Sequence, residues 1–371
     1  MNEKRNAMLT IGILFAIILV FTASDFLNKD RTFSDEENRT LAARPEFSVD
    51  EVLYGEYIGE YETYAWDQFV SRDKWMEIRT RLDIWMQKKA INGVYLGEDD
   101  YLIQVHNPSD YSESQEKSRI ASLKKVVNKW DALVMLVPSA DNILTDKLPA
   151  YSTYYDEKTF LEKVRNAIGE EHYVDVYTTL AEHAEEDIFY RTDPRWTSLG
   201  ARYGLKAWEE TVHRRYPYME DGLVTVSKNF RGVLCDQIDQ SPTKDRISYY
   251  RETKRYPVKV TYDGETVTDS LYEEKYLETA DQYSFFLDGD HGFVEIDTGW
   301  KNGKTLFVIK DSYANAMLPM MVNYYEKIYA VDLDHYTGKL FELMEACEPE
   351  EGMDVLVLYN CEHFLESFKY Y

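Results

Sequence analysis

Ser312 stands in Lys310-Asp311-Ser312-Tyr313, directly after the apolar run 305–309 (TLFVI) and before the helix-like stretch 314–325. A serine on a tight strand-to-helix turn exposes its hydroxyl, and the N–H groups that open the following helix can face an oxyanion. That pairing suits nucleophilic acyl chemistry; the competing role for Ser312 is helix N-capping. Two other segments follow apolar runs in the same way. Asp334-His335-Tyr336 comes after 328–333 (IYAVDL), and Pro138-Ser139-Ala140-Asp141-Asn142 comes after 132–137 (ALVMLV). The seven histidines are His106, His172, His183, His213, His291, His335 and His363, and none shows a metal-ligand spacing such as HxxxH. Among them His335 and His291 are candidate bases for Ser312, each against a structural or surface role. Cys235, Cys347 and Cys361 have no CxxC spacing, and acidic runs such as Glu98-Asp99-Asp100 lack the pattern of a calcium loop. No metal and no cofactor is predicted.

In open parallel sheets the ligand lies beyond the carboxyl ends of the strands, so the elements decide which of these residues can meet. The runs 132–137, 305–309, 328–333 and 354–358 (DVLVL) are continuously apolar, the mark of strands buried on both faces. Helical faces lie between them: Ile120, Leu123, Val127 and Trp130 behind a Ser112/Gln115 capping box, then Phe160, Leu161, Val164 and Ile168, then 198–213. Residues 173–176 read as a short strand. The pattern predicts an α/β fold, a parallel sheet flanked by helices. Within it, 214–300 forms a β-rich insertion of short, half-exposed antiparallel strands (VTVSKNF, KVTYDGETVT, FVEIDTG).

Composition sets the compartment and excludes some partners. The chain has 371 residues with 42 basic and 67 acidic ones, a net charge of −25 that repels nucleic-acid backbones. Residues 7–23 carry no charge and would span about 25 Å as a helix. With Lys4 and Arg5 ahead of it, this stretch predicts a single transmembrane anchor at 7–27, a cytoplasmic tail at 1–6 and an extracytoplasmic remainder. A cleaved signal peptide is the competing reading. Residues 28–90 read as a tether followed by an amphipathic helix, and 91–371 as the α/β domain. On that helix Trp75, Ile78, Leu82, Trp85 and Met86 draw one stripe, suited to packing on the main domain or to docking onto a membrane partner.

The block Tyr190-Arg191-Thr192-Asp193-Pro194-Arg195-Trp196-Thr197 resembles the Asp-His-His-Trp signature of the DHHW family, relatives of the alginate O-acetyltransferases with a permuted SGNH-hydrolase fold. Phe33-Ser34-Asp35-Glu36-Glu37-Asn38-Arg39, Asp146-Lys147-Leu148-Pro149, Ile309-Lys310-Asp311-Ser312-Tyr313-Ala314-Asn315 and Asp354-Val355-Leu356-Val357-Leu358-Tyr359-Asn360 agree with it in order. The resemblance implies Ser312 as nucleophile, Asp193 as the orienting acid, and Trp196, Tyr313 and Asn315 around the substrate. It puts the general base at position 195, which here is arginine. A guanidinium stays protonated near neutral pH and cannot take the serine proton.

Leu287-Asp288-Gly289-Asp290-His291 resembles a Gly-Asn-His element with Asp290 in the asparagine position, where a carboxylate would repel a developing oxyanion. Val331-Asp332-Leu333-Asp334-His335-Tyr336 resembles an Asp-Leu-Arg-Tyr-Tyr element with Asp334 in the arginine position, so Arg195 and Asp334 are expected to pair. The family logic implies a cell-surface polysaccharide as substrate and a multi-pass membrane O-acyltransferase as partner. It leaves two roles open: an O-acetyltransferase or esterase with a degenerate triad, and a non-catalytic glycan-binding or scaffold subunit.

Overall fold

The structure, a computed structural model, describes residues 2–27, 29–34, 39–48, 52, 54, 56–214, 222–238, 240, 243–251, 257–349 and 352–369. Asp35, Glu36, Glu37 and Asn38 of the resemblance lie outside the described residues. The chain divides into two compact units, Met1–Lys88 with Ile238–Gln240, and Lys89–Gln237 with Ser241–Tyr371.

The first unit holds three long helices, Asn2–Leu27, Glu56–Asp67 and Arg72–Trp85, and a short antiparallel pair, Phe33–Ser34 with Arg39–Thr40. Among the described residues no helix is long and apolar enough to cross a membrane. Phe21 stacks on Phe69 and tilts against Trp75, with ring centroids 5.5 and 5.9 Å apart. Polar bonds hold the strap before the helices: Gln68 donates to the Arg31 and Ala42 carbonyls, and the Ala42 N–H donates to Asp67.

Seven strands in the second unit form one sheet, in the order Thr266–Thr268, Lys259–Tyr262, Phe293–Asp297, Lys327–Asp332, Thr305–Lys310, Asp354–Asn360, Leu133–Val137. The last four are parallel neighbours, and they are the four continuously apolar runs. Their side chains alternate between two layers of core. Val308, Ala330, Leu356 and Met135 face one side, with Ala201, Leu205, Trp208 and the buried helix Ala314–Met321. Phe307, Val331, Val357 and Val134 face the other, with helices Glu113–Trp130, Glu157–Ile168 and Cys361–Ser367. Three helices of this unit open on a side-chain cap: Ser112 accepts from the Gln115 N–H, Asp156 from Thr159, and Thr197 from Leu199 and Gly200.

Two expectations change. Residues 173–176 make only a single parallel bridge, Val134 with Tyr173, and a helix begins at Val176. Asp175 takes the Thr178 N–H, so the chain turns into that helix instead of extending the ladder. Nor is the β-rich stretch one appended module. Leu223–Phe230 and Asp245–Tyr250 pair with each other, whereas Lys259–Tyr262, Thr266–Thr268 and Phe293–Asp297 continue the main sheet as an antiparallel flank. Apolar Val260, Tyr262, Val294 and Ile296 are buried there, and a sheet extension is what buries such alternating residues.

Phe307 lies fully buried at the centre of the parallel sheet. Phe307→Ala is expected to cost about 3–5 kcal/mol, read as a lowered denaturant midpoint for the chain.

Candidate functional site

Register fixes where the site residues meet. Lys310 is opposite Asp332 and Leu358, and Asn360 is opposite Val137, so four strands end on one line. Beyond it lie Asp311 and Ser312, then Asp334, then Glu362 and His363, then Ser139. Asp311 is buried and takes three donors. Its Oδ1 accepts the Tyr313 N–H (2.9 Å); its Oδ2 accepts the Asn360 N–H (2.7 Å) and lies 3.3 Å from His363 Nδ1. One carboxylate therefore fastens the turn that carries Ser312 to the end of the neighbouring strand.

Ser312 is partly exposed on this turn. The helix behind it takes Tyr313 as its N-cap, without a side-chain cap bond, so capping does not account for the serine. The N–H groups of residues 313–315, which open the helix, are used within the turn. Ala314 N–H donates to the Asp311 carbonyl and Asn315 N–H to the Ser312 carbonyl, both at 3.2 Å, and Tyr313 N–H is held by Asp311.

The 193–196 block docks on this turn at several points. Trp196, fully buried, donates its indole N–H to the Tyr313 carbonyl (2.8 Å), and the Tyr313 hydroxyl donates back to the Pro194 carbonyl (2.6 Å). Arg195 grips Asp193 with two bonds, Nε at 2.7 Å and Nη2 at 2.8 Å. The guanidinium also lies over the Tyr283 ring, 3.6 Å from its centre, and the Tyr283 hydroxyl donates to the Ser312 carbonyl (3.1 Å). Burial works against the charge on Arg195, but the Asp193 carboxylate outweighs it and raises the pKa above its ordinary value. The arginine stays a cation, held on the very acid that would orient a base.

Arg195 does not pair with Asp334. That carboxylate lies 2.6 Å from His363 Nε2, because His363 projects from the helix that follows Asp354–Asn360, while Arg195 is held by two bonds to Asp193. Asp290 is exposed and accepts from Asn315 Nδ2 (2.9 Å), with Lys310 Nζ 3.9 Å away. Lys310 is buried and also lies 3.5 Å from Asp332. The carboxylate at 290 thus meets a donor and a cation in addition to any oxyanion. His291 does not serve Ser312: its nitrogens face Asp263 (2.8 Å) and Asp288 (3.1 Å), and its ring stacks on Tyr262. His335 is exposed beyond its strand, with no bond to Ser312 among the described residues.

Two other histidines lie among the carboxylates of this edge, His363 and His106. Burial lowers the tendency of His363 to be charged, but Asp311 and Asp334 outweigh it and raise its pKa to about 9. His106, buried, lies 2.8 Å from Asp141 and 2.8 Å from Glu362. Again burial opposes the charge and the two carboxylates overcome it, which holds the pKa well above the ordinary imidazole range. Glu157 beneath them is pushed up by burial and by Asp141, although the Ser139 N–H and hydroxyl both donate to it. Both imidazoles are cations at neutral pH and neither is a proton acceptor. Asn360-Cys361-Glu362-His363 follows the fourth apolar run, so the rule that singles out Ser312 would have found His363. His106 follows none of the four apolar runs and had no such signal. A separate cleft of about 750 Å³, lined by Glu186, Arg191, Lys244 and Arg246 among others, does not include Ser312, Asp193 or Arg195 in its walls.

The charged form of His363 stabilises the fold fully below pH 6.5, its ordinary value, and that contribution is lost as pH rises through about 9. The stability gap between the native chain and His363→Gln should therefore be flat below pH 6.5 and close as pH climbs to about 9, measured by urea unfolding. Gly232 packs on the other side of the acid: a Cβ there would lie 2.3 Å from the Thr192 carbonyl oxygen and 2.4 Å from Asp193 Cβ. Gly232→Ala should shift the Asp193–Arg195 pair and lower stability by about 1–3 kcal/mol, whereas Gly264→Ala, strained only by its own left-handed backbone (φ +74°), should leave the pair in place.

The DHHW protein family model matches residues 111–331, more than half of the chain. A DHHW family protein from Eubacterium siraeum is 22% identical in structural alignment, with 75% of this chain and 94% of that chain covered and a TM-score of 0.62. Bacillus cereus PatB1, in a structure with a sulfonyl adduct, is 19% identical, with 73% and 95% covered and a TM-score of 0.58. No curated protein matches the chain. At these identities the structural likeness is one of fold, and the matched 111–331 region contains Asp193, Arg195, Trp196 and Ser312 within the sheet-edge arrangement described above. The chain belongs to the DHHW family.

Proposed function

We propose that this DHHW protein is a membrane-anchored, extracytoplasmic component of O-acyl modification of a cell-surface polysaccharide, acting with a multi-pass O-acyltransferase, and that its own acyl chemistry at Ser312 is disabled. Family membership and the PatB1-like fold support the first part. The anchor rests on the sequence, where residues 7–23 carry no charge, and on the exposure of Met8, Leu9, Ile11, Phe15 and Leu19 along Asn2–Leu27. Arg195 on Asp193 is the observation that carries the second part. A competent site would pass the Ser312 proton to a neutral imidazole while Oγ bonds to the acyl carbon and the donor's leaving group departs. A sugar hydroxyl would then take the acyl group and return Ser312. Here position 195 holds a cation, the near imidazoles at 106 and 363 are cations, and the helix-opening N–H groups are spent on the turn.

The reading that remains is binding or scaffolding of the glycan or the acyltransferase. Full-length chain in detergent should hydrolyse p-nitrophenyl acetate no faster than Ser312→Ala and should resist a sulfonyl fluoride. Removing a triad member typically costs about 10⁴-fold, so Arg195→His has room to raise turnover by ~10-fold or more, with labelling at Ser312. Native turnover that vanishes in Ser312→Ala and survives Arg195→Ala would overturn the disabled-site reading.

A further inference from the structure

Two helices of the first unit are polar on the inside and apolar on the outside. On Arg72–Trp85 the buried residues are Arg72, Thr80 and Asp83, at 5%, 3% and 5% exposure. Trp75, Ile78, Leu82, Trp85 and Met86 are 48–80% exposed and form one continuous stripe. Glu56–Asp67 repeats the inversion: Asp67 is buried and receives the Ala42 N–H, while Ile58, Tyr61 and Trp66 are exposed. A surface helix in water has the opposite arrangement, and contiguous exposed apolar patches mark an interaction face.

Charge selects the occupant. Over residues 72–88 there are five basic and three acidic residues, in a chain whose net charge is −25. The three acids are each engaged, Asp73 by Arg31, Glu77 by Arg81 and Asp83 by Lys88. At 3.6 residues per turn the exposed Arg79 lies on one flank of the stripe and Lys74 and Arg81 on the other. Basic flanks beside a face of tryptophan and aliphatic side chains are the composition of a helix lying in a lipid–water interface. The patch is also continuous with the apolar N-terminal helix, through the ring contacts of Phe21 with Phe69 and Trp75.

We infer that the Arg72–Trp85 helix is a membrane-interface helix that lays Trp75, Ile78, Leu82, Trp85 and Met86 into an anionic lipid surface. The inference rests on the anchor reading above, and two separate readouts keep them apart. Resistance of the full chain to alkaline carbonate extraction reads the anchor alone. For the helix, full-length Leu82→Cys and Arg81→Cys chains carry an environment-sensitive fluorophore in vesicles of phosphatidylglycerol and phosphatidylcholine, with labelling of the native cysteines subtracted. The probe at 82 should be blue-shifted and quenched several-fold more by doxyl lipid than the probe at 81, which should respond to aqueous iodide. Replacing phosphatidylglycerol with phosphatidylcholine should weaken lipid quenching at 82.

Equal iodide quenching at both positions, with the chain still carbonate-resistant, would overturn the inference and leave the anchor standing. Shielding of position 82 from both iodide and doxyl lipid would overturn it too, in favour of a protein partner or a second copy on this face. If the chain is extracted by carbonate but position 82 still meets lipid, the anchor fails and the interfacial helix stands.

Discussion

Asp311 is bound from three directions: by the N–H of the turn that follows it, by the N–H of Asn360 on the neighbouring strand, and by the His363 imidazole. A buried carboxylate must have its oxygens hydrogen-bonded, and once it has such donors it cannot move without leaving several groups unpaired. Ser312 is therefore displayed by electrostatics as much as by the register of the sheet. The same bonds draw His363 toward the strand ends and keep it charged, which places Asp334 on His363 and away from Arg195. The distribution of partners over this edge follows from one aspartate.

Arg195 shows how a site can lose a proton acceptor and keep its architecture. Histidine at that position would bond Asp193 through one nitrogen and present the other to the serine. The guanidinium uses two nitrogens on the carboxylate and lays its face on Tyr283, whose hydroxyl holds the Ser312 carbonyl. The connection from acid to serine persists, but it runs through the ring and the backbone and transfers no proton. Trp196 and Tyr313 exchange bonds between the two blocks and do not depend on which residue stands at 195.

Much of this was legible in the chain. Four continuous apolar runs became the four parallel strands because burial on both faces leaves no room for alternation, and the end of one of them carries Ser312 to the turn on which the 194–196 block docks. Partner choice among charges was not legible. Arg195 and Asp334 have complementary charges, yet local geometry favours Asp193, two residues away, and a histidine from another strand claims Asp334. His106 was missed because its acids, Asp141 and Glu362, converge only in three dimensions. The helix stripe at 75–86 was readable as a stripe, but periodicity alone does not say whether it faces inward. That needed the burial of Thr80 and Asp83.

The lone bridge between Val134 and Tyr173 has a consequence for how copies of the chain meet one another. Leu133–Val137 is a fully apolar border strand, the kind whose open amides recruit further strands and seed aggregates. Tyr173 pairs with it at one place, the Val174 N–H donates to the Val134 carbonyl, and the chain then leaves as a helix. The opposite border is a strand of only three residues, Thr266–Thr268. One border is capped and the other truncated, so the sheet offers little template for growth by strand addition, and neighbouring copies have few open amides through which to join.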